Sequence, residues 1–327
     1  MSTNFRWGIL GTGRIAGEFA EGLQQLEGVE LRAVASRKQE TADVFAKKFG
    51  AMNAHSNYQK LADDPEVDAV YVATPHSLHC ENTLLCLEAG KAVICEKPFA
   101  VNSQQVAKMI EVARHQNCFL MEAMWMRFIP LIREARRRVA AGAIGDVRMI
   151  QADFGFNVPF NPDGRLFDTS LAGGALLDVG IYPLAFSAMF LGEPKDIVSL
   201  PAIGESGVDE QSAYLLRHEQ GQLSVLSSAV RAETSQSAWV YGTSGRIHFH
   251  THFWKADHMT LYTDGAESKE ISMPYSGNGY QFEAQEVMDC IAAGKLESGI
   301  MPHSESINLM RTMDRIRDQW GLKYPME

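Results

Sequence analysis

The chain has 327 residues, and its 30 lysines and arginines against 40 aspartates and glutamates give a formal net charge of −10. At roughly 100–200 residues per domain, this length predicts two domains. Hydrophobic residues make up 46% and charged residues 21%, which is typical of a soluble globular protein and not of a disordered chain. The acidic balance argues against nucleic acid or an anionic membrane as the partner, since neither is steered toward a negative protein.

The first third of the chain alternates strands and helices. Predicted strands lie at Phe5–Leu10, Leu31–Ala35, Val67–Ala73, Ala92–Cys95 and Cys118–Met121, with helical patterns between them. The run Val67–Ala73 is continuously apolar, which is typical of a parallel strand covered on both faces. Repeated strand–helix–strand units predict an α/β fold with a parallel, doubly wound sheet.

A glycine-rich loop, Gly11-Thr12-Gly13-Arg14-Ile15-Ala16, follows the first strand. In such a G-x-G-x-x-A motif the first glycine permits a tight turn, the second lets the backbone approach a pyrophosphate, and the small third residue allows close packing. The next helix then offers its N–H groups to the anion. A purely structural turn is the alternative, but the strand–loop–helix context favours a dinucleotide. The expected contacts are Gly11, Thr12, Gly13, Arg14 and Ile15.

The segment that discriminates NAD from NADP lies about 20 residues further on, at the end of the second strand. An aspartate or glutamate there would bind the ribose of NAD, whereas this chain has Ser36-Arg37-Lys38. A hydroxyl and two cations suit a 2′-phosphate, with Ser36 and Arg37 as contacts and Lys38 either a further contact or only solvated. The sequence therefore predicts NADP(H), with NAD(H) as the alternative.

The strand Ala92–Cys95 leads into Glu96-Lys97-Pro98. Ligands of open α/β sheets sit outside the carboxyl ends of the strands, and a following proline favours an extended Lys97. We therefore expect Lys97 to face the ligand, where its charge can bind a substrate oxygen and lower the pKa of an alcohol. A solvated lysine at a strand end is the alternative.

The rest of the chain has a different pattern. A basic helix at Met126–Ala140 precedes several strand-like runs separated by glycine-containing turns, and helices at Phe282–Ala292 and Glu305–Trp320 follow. Hairpin-linked runs of this kind predict an α+β domain with a large, mostly antiparallel sheet. We predict a nucleotide-binding domain at residues 1–123 and a substrate-binding domain at 124–327.

The most apolar segment, Ser170–Gly192, contains a single charged residue, Asp178. A carboxylate near the centre of a membrane-spanning helix costs ~3 kcal/mol, and the segment has no flanking positive cluster, so we predict a buried, kinked helix and no membrane span. Asp178 and Tyr182 are four residues apart and share one helix face. We expect both in a catalytic site, the alternative being a structural aspartate and a core tyrosine.

Cysteine and histidine usage indicates no metal site. The five cysteines include no C-x-x-C pair, and the amino terminus lacks a secretory pattern, so reduced thiols and a cytoplasmic location are expected. His76 and His79 lack a third ligand at suitable spacing. His248, His250 and His252 alternate along one predicted strand, where a hydrated face or a subunit interface is favoured over metal binding.

Together these motifs resemble the glucose–fructose oxidoreductase, inositol dehydrogenase and rhizopine-catabolism (Gfo/Idh/MocA) family. The similar segments are the GILGTGRIA opening, ATPHSLH at Ala73–His79, Glu96-Lys97-Pro98 and the glycine-rich helix start before Asp178. Met121–Phe128 and Ala172–Tyr182 look closest to the dimeric dihydrodiol dehydrogenase and NADP-dependent sugar dehydrogenase branch. The resemblance covers essentially the whole chain.

This resemblance implies an N-terminal Rossmann domain, a C-terminal α+β domain with an open sheet, and a homodimer formed sheet to sheet. It also implies hydride transfer to or from a CH–OH carbon of a small-molecule sugar, cyclitol or cyclic diol. The implied cofactor contacts beyond the glycine loop are Thr74, His76, His79, Glu96 and Lys97. The expected substrate contacts are Trp125, Arg127, Phe154, Arg165 and Trp254.

The family pattern usually has histidine at the position of Tyr182, and this chain departs from it. A tyrosine hydroxyl can still transfer a proton, but its ordinary pKa of about 10 must be lowered, for which Lys97 is the expected source. Asp178 is expected to orient Lys97 or the substrate hydroxyls. Two other functions stay open: redox-neutral glycoside cleavage, and noncatalytic nucleotide sensing, against which the intact proton-transfer groups argue.

Overall fold

The computed structural model describes residues 4–327, and the chain divides into two compact units. The first comprises Met1–Trp125 and Ser276–Ile307, and the second comprises Met126–Tyr275 and Asn308–Glu327. The chain first passes from one unit to the other after Trp125, close to the predicted boundary after residue 123. The prediction placed residues 276–307 in the second domain, whereas the structure places them in the first unit.

The first unit contains a six-stranded sheet in which every strand pair is parallel. Its strands are β1 (Phe5–Leu10), β2 (Val29–Ala35), β3 (Asn53–His55), β4 (Ala69–Val72), β5 (Ala92–Glu96) and β6 (Leu120–Ala123). The helices between them are α1 (Arg14–Leu23), α2 (Gln39–Phe49), α3 (Tyr58–Ala62), α4 (His79–Glu88) and α5 (Ser103–His115). All four residues of β4 are buried, as its unbroken apolar sequence predicts.

The strand order β3-β2-β1-β4-β5-β6 confirms the predicted doubly wound sheet. The order reverses between β1 and β4, so the chain leaves these two strands in opposite directions. In open α/β sheets this reversal leaves a crevice at the carboxyl ends of the strands, where ligands bind. The loops that follow β1, β2, β4 and β5 all begin at this edge of the sheet.

The second unit contains an eight-stranded sheet in the order β14-β13-β12-β11-β7-β10-β9-β8. Its strands are β7 (Val147–Gly155), β8 (Asp196–Ile203), β9 (Asp209–Arg217), β10 (Leu223–Ala229), β11 (Ala238–Gly242), β12 (Gly245–Phe249), β13 (His258–Thr263) and β14 (Lys269–Ser272). The helices α6 (Pro130–Ala140) and α7 (Ile181–Leu191) belong to this unit. The pair β7–β10 is parallel and the other pairs are antiparallel, which confirms a mostly antiparallel sheet.

Two helices follow the last strand. They are α8 (Tyr280–Ala292) and α9 (His303–Trp320). The amide of Asn278, just before α8, donates a hydrogen bond to the Glu18 carbonyl of α1 at 2.7 Å. A side chain at Gly22 of α1 would place its Cβ 2.9 Å from the Cβ of Tyr280. This close packing of α8 on α1 explains why residues 276–307 belong to the first unit.

The apolar stretch Thr169–Leu191, with a mean hydropathy of 1.6, is the one candidate membrane span by length and composition among residues 4–327. Within its most apolar window, 83% of the residues are buried inside the structure. The stretch is not one regular α-helix, because a π-helical turn at Leu176–Gly180 precedes α7. The N–H of Ile181 donates to the carbonyl of Leu176, five residues back, which is the hydrogen bond that defines such a turn.

Candidate active site and cofactor edge

The glycine loop after β1 has the conformation that a dinucleotide requires. Gly11 has a φ of +110°, and a Cβ at this position would lie 2.6 Å from the carbonyl oxygen of Ala73, so no other residue fits the turn. A Cβ at Gly13 would meet no atom within 4 Å, and Gly13 caps α1 without a side-chain hydrogen bond. The open space above Gly13 and the uncapped start of α1 fit a pyrophosphate.

The end of β2 presents hydroxyls and cations to the same edge. Thr12 donates a hydrogen bond to Ser36 Oγ at 3.2 Å, and Thr41 Oγ1 lies 2.6 Å from Ser36 Oγ. Thr41 in turn donates to the Lys38 carbonyl at 2.8 Å. Arg37 and Lys38 are exposed. No carboxylate occurs between Ser36 and Lys38, so these residues fit a 2′-phosphate and lack the group that binds an unmodified ribose.

A surface cavity of about 510 Å³ lies next to this loop. Thr12, Gly13 and Arg14 line one end, and the cavity continues between α1 and α2 toward Phe49. Arg14 is largely exposed and lies 3.9 Å from the Glu18 carboxylate. The predicted contacts Thr12, Gly13 and Arg14 therefore border open space, whereas Ile15 is half-buried behind them.

The turn that carries Lys97 is held by a buried carboxylate. Glu96, which is 5% exposed, accepts a hydrogen bond from the Lys97 backbone N–H at 3.1 Å and another from the Tyr71 hydroxyl. Burial raises the pKa of Tyr71 well above its ordinary value, so this hydroxyl stays protonated and donates. Lys97 itself is half-buried. Glu96 was predicted to contact the cofactor, whereas these hydrogen bonds bind it to the turn and to β4.

The His79 ring also faces backbone carbonyls of the protein itself. Its ring is 1% exposed, with one nitrogen 2.7 Å from the Pro98 carbonyl oxygen and the other 2.8 Å from that of Thr74. Burial lowers the pKa of His79 to about 4, although both carbonyls oppose this shift. The neutral ring donates to one of these carbonyls and lies between the loop after β4 and the turn after β5, while its contact with the cofactor stays a prediction. His76 is half-buried, with its ring centroid 5.7 Å from that of His79.

Thr74 is likewise turned toward the protein. Its side chain is buried, and its hydroxyl accepts a hydrogen bond from the Asn82 amide of α4 at 3.1 Å. Its carbonyl oxygen is the one that faces His79. The backbone of the β4 loop, rather than the Thr74 side chain, is thus the part that Gly11 approaches.

In the second unit, Asp178 lies in the π-helical turn and is paired with Arg165. Its carboxylate is 8% exposed and accepts two hydrogen bonds from the guanidinium, at 2.9 and 3.4 Å. Arg165 was predicted as a separate substrate contact, and no sequence motif indicated this pairing. The bidentate geometry stabilises a buried carboxylate that would otherwise carry a large desolvation penalty.

Tyr182 lies among aromatic rings on the first turn of α7. The ring centroids of Phe154 and Trp254 are 3.6 Å apart and nearly parallel, and that of Tyr182 lies 5.3 Å from Phe154 and 6.1 Å from Trp254. The structure thus brings together three of the predicted catalytic and substrate residues. Within the first unit, Trp125 stacks on Tyr280 with centroids 4.9 Å apart. Arg127 is 1% exposed.

The histidine-rich strand differs from the prediction. His248 and His250 have ring centroids 4.2 Å apart, as neighbours on one face should. However, β12 ends at Phe249, and His252 adopts a φ of +66° with its ring edge against Trp254. The predicted alternation of three histidines is therefore wrong for His252. In the described part of the chain, no group of three or more His, Cys, Asp or Glu side chains could hold a metal ion.

Three polar residues beside the candidate site residues were not predicted from the sequence: Thr41, Tyr71 and Asp209. A tyrosine hydroxyl inside an otherwise apolar strand was a visible signal for Tyr71. Asp209, at the start of β9, accepts a hydrogen bond from the Leu176 N–H at 2.7 Å, 33 residues away in sequence. Such a long-range contact leaves no local pattern, so sequence spacing could not reveal it.

Two family models match the chain. Residues 5–124 match the model described as "Oxidoreductase family, NAD-binding Rossmann fold", and residues 132–248 match the GFO/IDH/MocA C-terminal domain. The chain belongs to the GFO/IDH/MocA family. It is an NAD(P)-dependent oxidoreductase, and the resemblance seen in its motifs is confirmed.

Full-length relatives and solved structures agree with this assignment. The chain is 37% identical to trans-1,2-dihydrobenzene-1,2-diol dehydrogenase of Mus musculus, over 98% of both chains. An aldose-aldose oxidoreductase from Caulobacter crescentus, complexed with glycerol, matches with a TM-score of 0.88 at 25% identity, over 97% of this chain and 98% of that one. A levoglucosan dehydrogenase in complex with NADH and levoglucosan matches with a TM-score of 0.89 at 21% identity, over 97% of each chain, which shows a shared fold.

Proposed function

We propose that this oxidoreductase transfers hydride between NADP(H) and a CH–OH carbon of a cyclic diol, a sugar or a cyclitol. The observation that carries the proposal is the 37% identity with a dihydrodiol dehydrogenase over 98% of both chains. The residues that this reaction needs are present as Lys97, Asp178 and Tyr182. The reduced state of all five cysteines, which are free and buried, supports a cytoplasmic location.

The preference for NADP(H) rests on the end of β2. Arg37 offers a charged donor for a 2′-phosphate, and Ser36 lies beside it in a hydroxyl chain with Thr12 and Thr41. A carboxylate that would repel the phosphate is missing from Ser36-Arg37-Lys38. Charge-assisted hydrogen bonds of the kind that Arg37 can form are about twice as strong as neutral ones.

Proton transfer is assigned to Tyr182 and Lys97. The nicotinamide, when bound, supplies or accepts the hydride. Tyr182 removes the proton of the substrate hydroxyl in oxidation and returns it in reduction, and Lys97 binds the substrate oxygen through its charge. Asp178, held by the Arg165 guanidinium, orients the substrate hydroxyls. The stacked Phe154 and Trp254 rings supply a flat apolar wall that suits a cyclic carbon skeleton.

The substrate experiment is a panel of aldoses, inositols, deoxyosones and aromatic trans-dihydrodiols, followed by NADPH absorbance at saturating NADP⁺. We expect turnover of at least one cyclic diol, sugar or cyclitol, with a higher kcat/KM for NADP⁺ than for NAD⁺. Release of a sugar from a glycoside without net NADPH would indicate redox-neutral cleavage instead. Micromolar NADPH affinity without turnover of any compound would indicate a nucleotide sensor.

We also propose a homodimer formed through one face of the eight-stranded sheet. The other face is covered in part by α7, which packs on β7 and β10. On the uncovered face, Val198, Leu200 and Leu215 are 64%, 76% and 55% exposed, and Val198 and Leu215 are cross-strand neighbours. An exposed, contiguous apolar patch of this kind marks an interaction site.

The dimer is tested by sedimentation velocity of Leu200→Glu, which places a charge in the apolar patch. We expect the wild type to sediment as a dimer and the variant as a monomer. Val44→Glu is the matched control, because Val44 is 69% exposed but lies on α2 in the first unit. A monomeric wild type, or a dimeric Leu200→Glu variant, would contradict the proposed interface.

A further inference from the structure

We propose that Asp209 is a positioning residue for the reaction, because it anchors the π-helical turn Leu176–Gly180 that presents Asp178 and leads into Tyr182. The inference rests on the proposed function, since it assigns a role within the same site. Asp209 touches neither of these side chains in the hydrogen bonds that the structure shows. It acts through the backbone of the turn.

The first anchor is a hydrogen bond at the start of the turn. Asp209 Oδ2 accepts the Leu176 N–H at 2.7 Å, and the side chain is fully buried. Burial raises the pKa of Asp209 to about 7, and the Leu176 N–H is the strongest influence that opposes this shift. A buried carboxyl with a single hydrogen-bonded oxygen is costly in a protein interior, so its position needs a reason beyond packing.

Glycine makes this contact possible. Gly174 has a φ of +113°, and a Cβ there would lie 2.2 Å from Asp209 Oδ1. A Cβ at the preceding Gly173 would lie 2.7 Å from the carbonyl oxygens of Arg165 and Leu166. The two glycines thus let the chain pass directly over the carboxylate on one side and beside the Arg165 segment on the other. The Gly173-Gly174 pair therefore leaves space for the Asp209 side chain and leads into the turn.

A second anchor lies at the other end of the turn. A Cβ at Gly180 would lie 2.8 Å from the Tyr214 hydroxyl and 2.9 Å from Ser228 Oγ. These two hydroxyls are 2.5 Å apart, and Ser212 Oγ lies 2.5 Å from the Tyr214 hydroxyl. Strands β9 and β10 therefore support both ends of the turn, with Asp209 below Leu176 and the hydroxyl cluster below Gly180.

The geometry of a π turn explains why an anchor matters. An α-helix rotates about 100° per residue, so loss of the extra residue in the turn would rotate Asp178 relative to Tyr182 by about that angle. Asp178 would then leave the Arg165 guanidinium, and the two reacting-site side chains would lose their common orientation. A misplacement of about 1 Å can reduce catalysis by about 100-fold.

The test compares Asp209→Leu with Asp209→Asn. Leucine has a similar size but accepts no hydrogen bond, whereas asparagine keeps an oxygen for the Leu176 N–H. We expect Asp209→Leu to lower kcat by about 100-fold and Asp209→Asn to stay within about 3-fold of the wild type. The Kd for NADPH, measured by fluorescence, should be unchanged in both, because the glycine loop lies in the first unit. Asp64→Leu is the control, since Asp64 is also buried and accepts the Glu66 N–H at 2.9 Å, in the first unit and away from the turn.

A second readout does not depend on turnover. Hydrogen exchange of the Leu176–Gly180 amides should be at least about 10-fold faster in Asp209→Leu than in the wild type and near wild type in Asp209→Asn. If no panel substrate reacts with the wild type, the proposed function fails while this readout still tests the anchor. If Asp209→Leu does not fold, the test uses Gly180→Ala instead. This variant displaces the turn from its other end and should likewise lower kcat without changing the Kd for NADPH.

Two results would overturn the proposal. One is a folded Asp209→Leu variant with wild-type kcat and wild-type exchange of the turn. The other is equal loss of kcat in Asp209→Leu and Asp209→Asn, or a parallel loss of NADPH affinity, since either would indicate general structural damage. An Asp64→Leu variant with the same loss of kcat as Asp209→Leu would also indicate general structural damage.

Discussion

The two units build their functional residues in different ways. In the first unit, the glycine loop, Ser36-Arg37-Lys38 and the Lys97 turn each follow the end of one strand, although Thr12 and Tyr71 contact the last two from other strands. In the second unit, Asp178 depends on Arg165 and on Asp209, which lie 13 and 31 residues away in sequence. The residues of the first set are recognisable from the strand ends in the sequence, whereas the contacts that hold Asp178 follow no sequence motif.

This difference predicts different responses to mutation. Residues of the cofactor edge should change affinity for one part of the cofactor and leave the remaining steps intact. Lys97 and the residues of the second unit should change turnover, because they carry or orient the groups that move a proton.

The largest effect is expected for the proton-transfer groups. Tyr182→Phe removes the hydroxyl and Lys97→Met removes the charge, and each should lower kcat by at least ~100-fold, the usual scale for such groups. NADPH affinity should change little in Tyr182→Phe. Tyr241→Phe and Lys108→Met are matched controls outside the site and should keep wild-type kcat, as measured by NADPH absorbance. Near-normal turnover of either site variant would remove that residue from the chemistry.

The cofactor edge should respond through affinity alone. Arg37→Gln removes the proposed partner of the 2′-phosphate, and a lost hydrogen bond to a charged group is worth about 1.5–3 kcal/mol, so the Kd for NADPH should rise by about 10- to 100-fold. The Kd for NADH, which has no 2′-phosphate, should stay within about 2-fold. Lys38→Gln should raise the Kd for NADPH if Lys38 also contacts the 2′-phosphate, and should leave it unchanged if Lys38 is only solvated. Equal loss of affinity for NADPH and NADH would contradict the assigned role of Arg37.

The ion pair of the second unit should respond through turnover. Arg165→Gln leaves the Asp178 carboxylate, 8% exposed, without this guanidinium, whereas Arg165→Lys keeps a charge but cannot form the bidentate contact. We expect kcat to fall by about 10-fold in Arg165→Gln and less in Arg165→Lys, with an unchanged Kd for NADPH. Because Arg165 is half-exposed, the loss of thermal stability should be small. A wild-type kcat in Arg165→Gln would show that Asp178 does not need this partner.

The same contrast explains which features were predictable from sequence. The parallel sheet, the glycine loop and the large antiparallel sheet follow from periodicity and from residues with restricted backbone choices, such as Gly11. The membership of residues 276–307 was not predictable, because it depends on how α8 packs on α1. The inward orientation of Glu96 and His79 was also not predicted. The same sequence motif is compatible with a side chain that faces a ligand and with one that contacts the loop behind it.

His79 provides the smallest and most specific test of this inward orientation. Its pKa is lowered by burial to about 4, whereas in the unfolded chain it returns to about 6.5. Below pH 6.5 the unfolded chain therefore binds a proton that the folded protein does not, so this contribution to stability is present above pH 6.5 and is lost as the pH falls toward 4. His79→Asn should remove that dependence.

The measurement is the free energy of unfolding by urea between pH 7.5 and 4.5. Relative to His79→Asn, the wild type should lose stability faster on acidification, with a slope difference of up to about 1.4 kcal/mol per pH unit for one proton. Asp209, with its pKa raised by burial to about 7, contributes a slope of the opposite sign, but it is present in both proteins and cancels in the difference. Identical slopes would mean that His79 has the same pKa in the folded protein as in the unfolded chain, which would contradict a pKa lowered by burial.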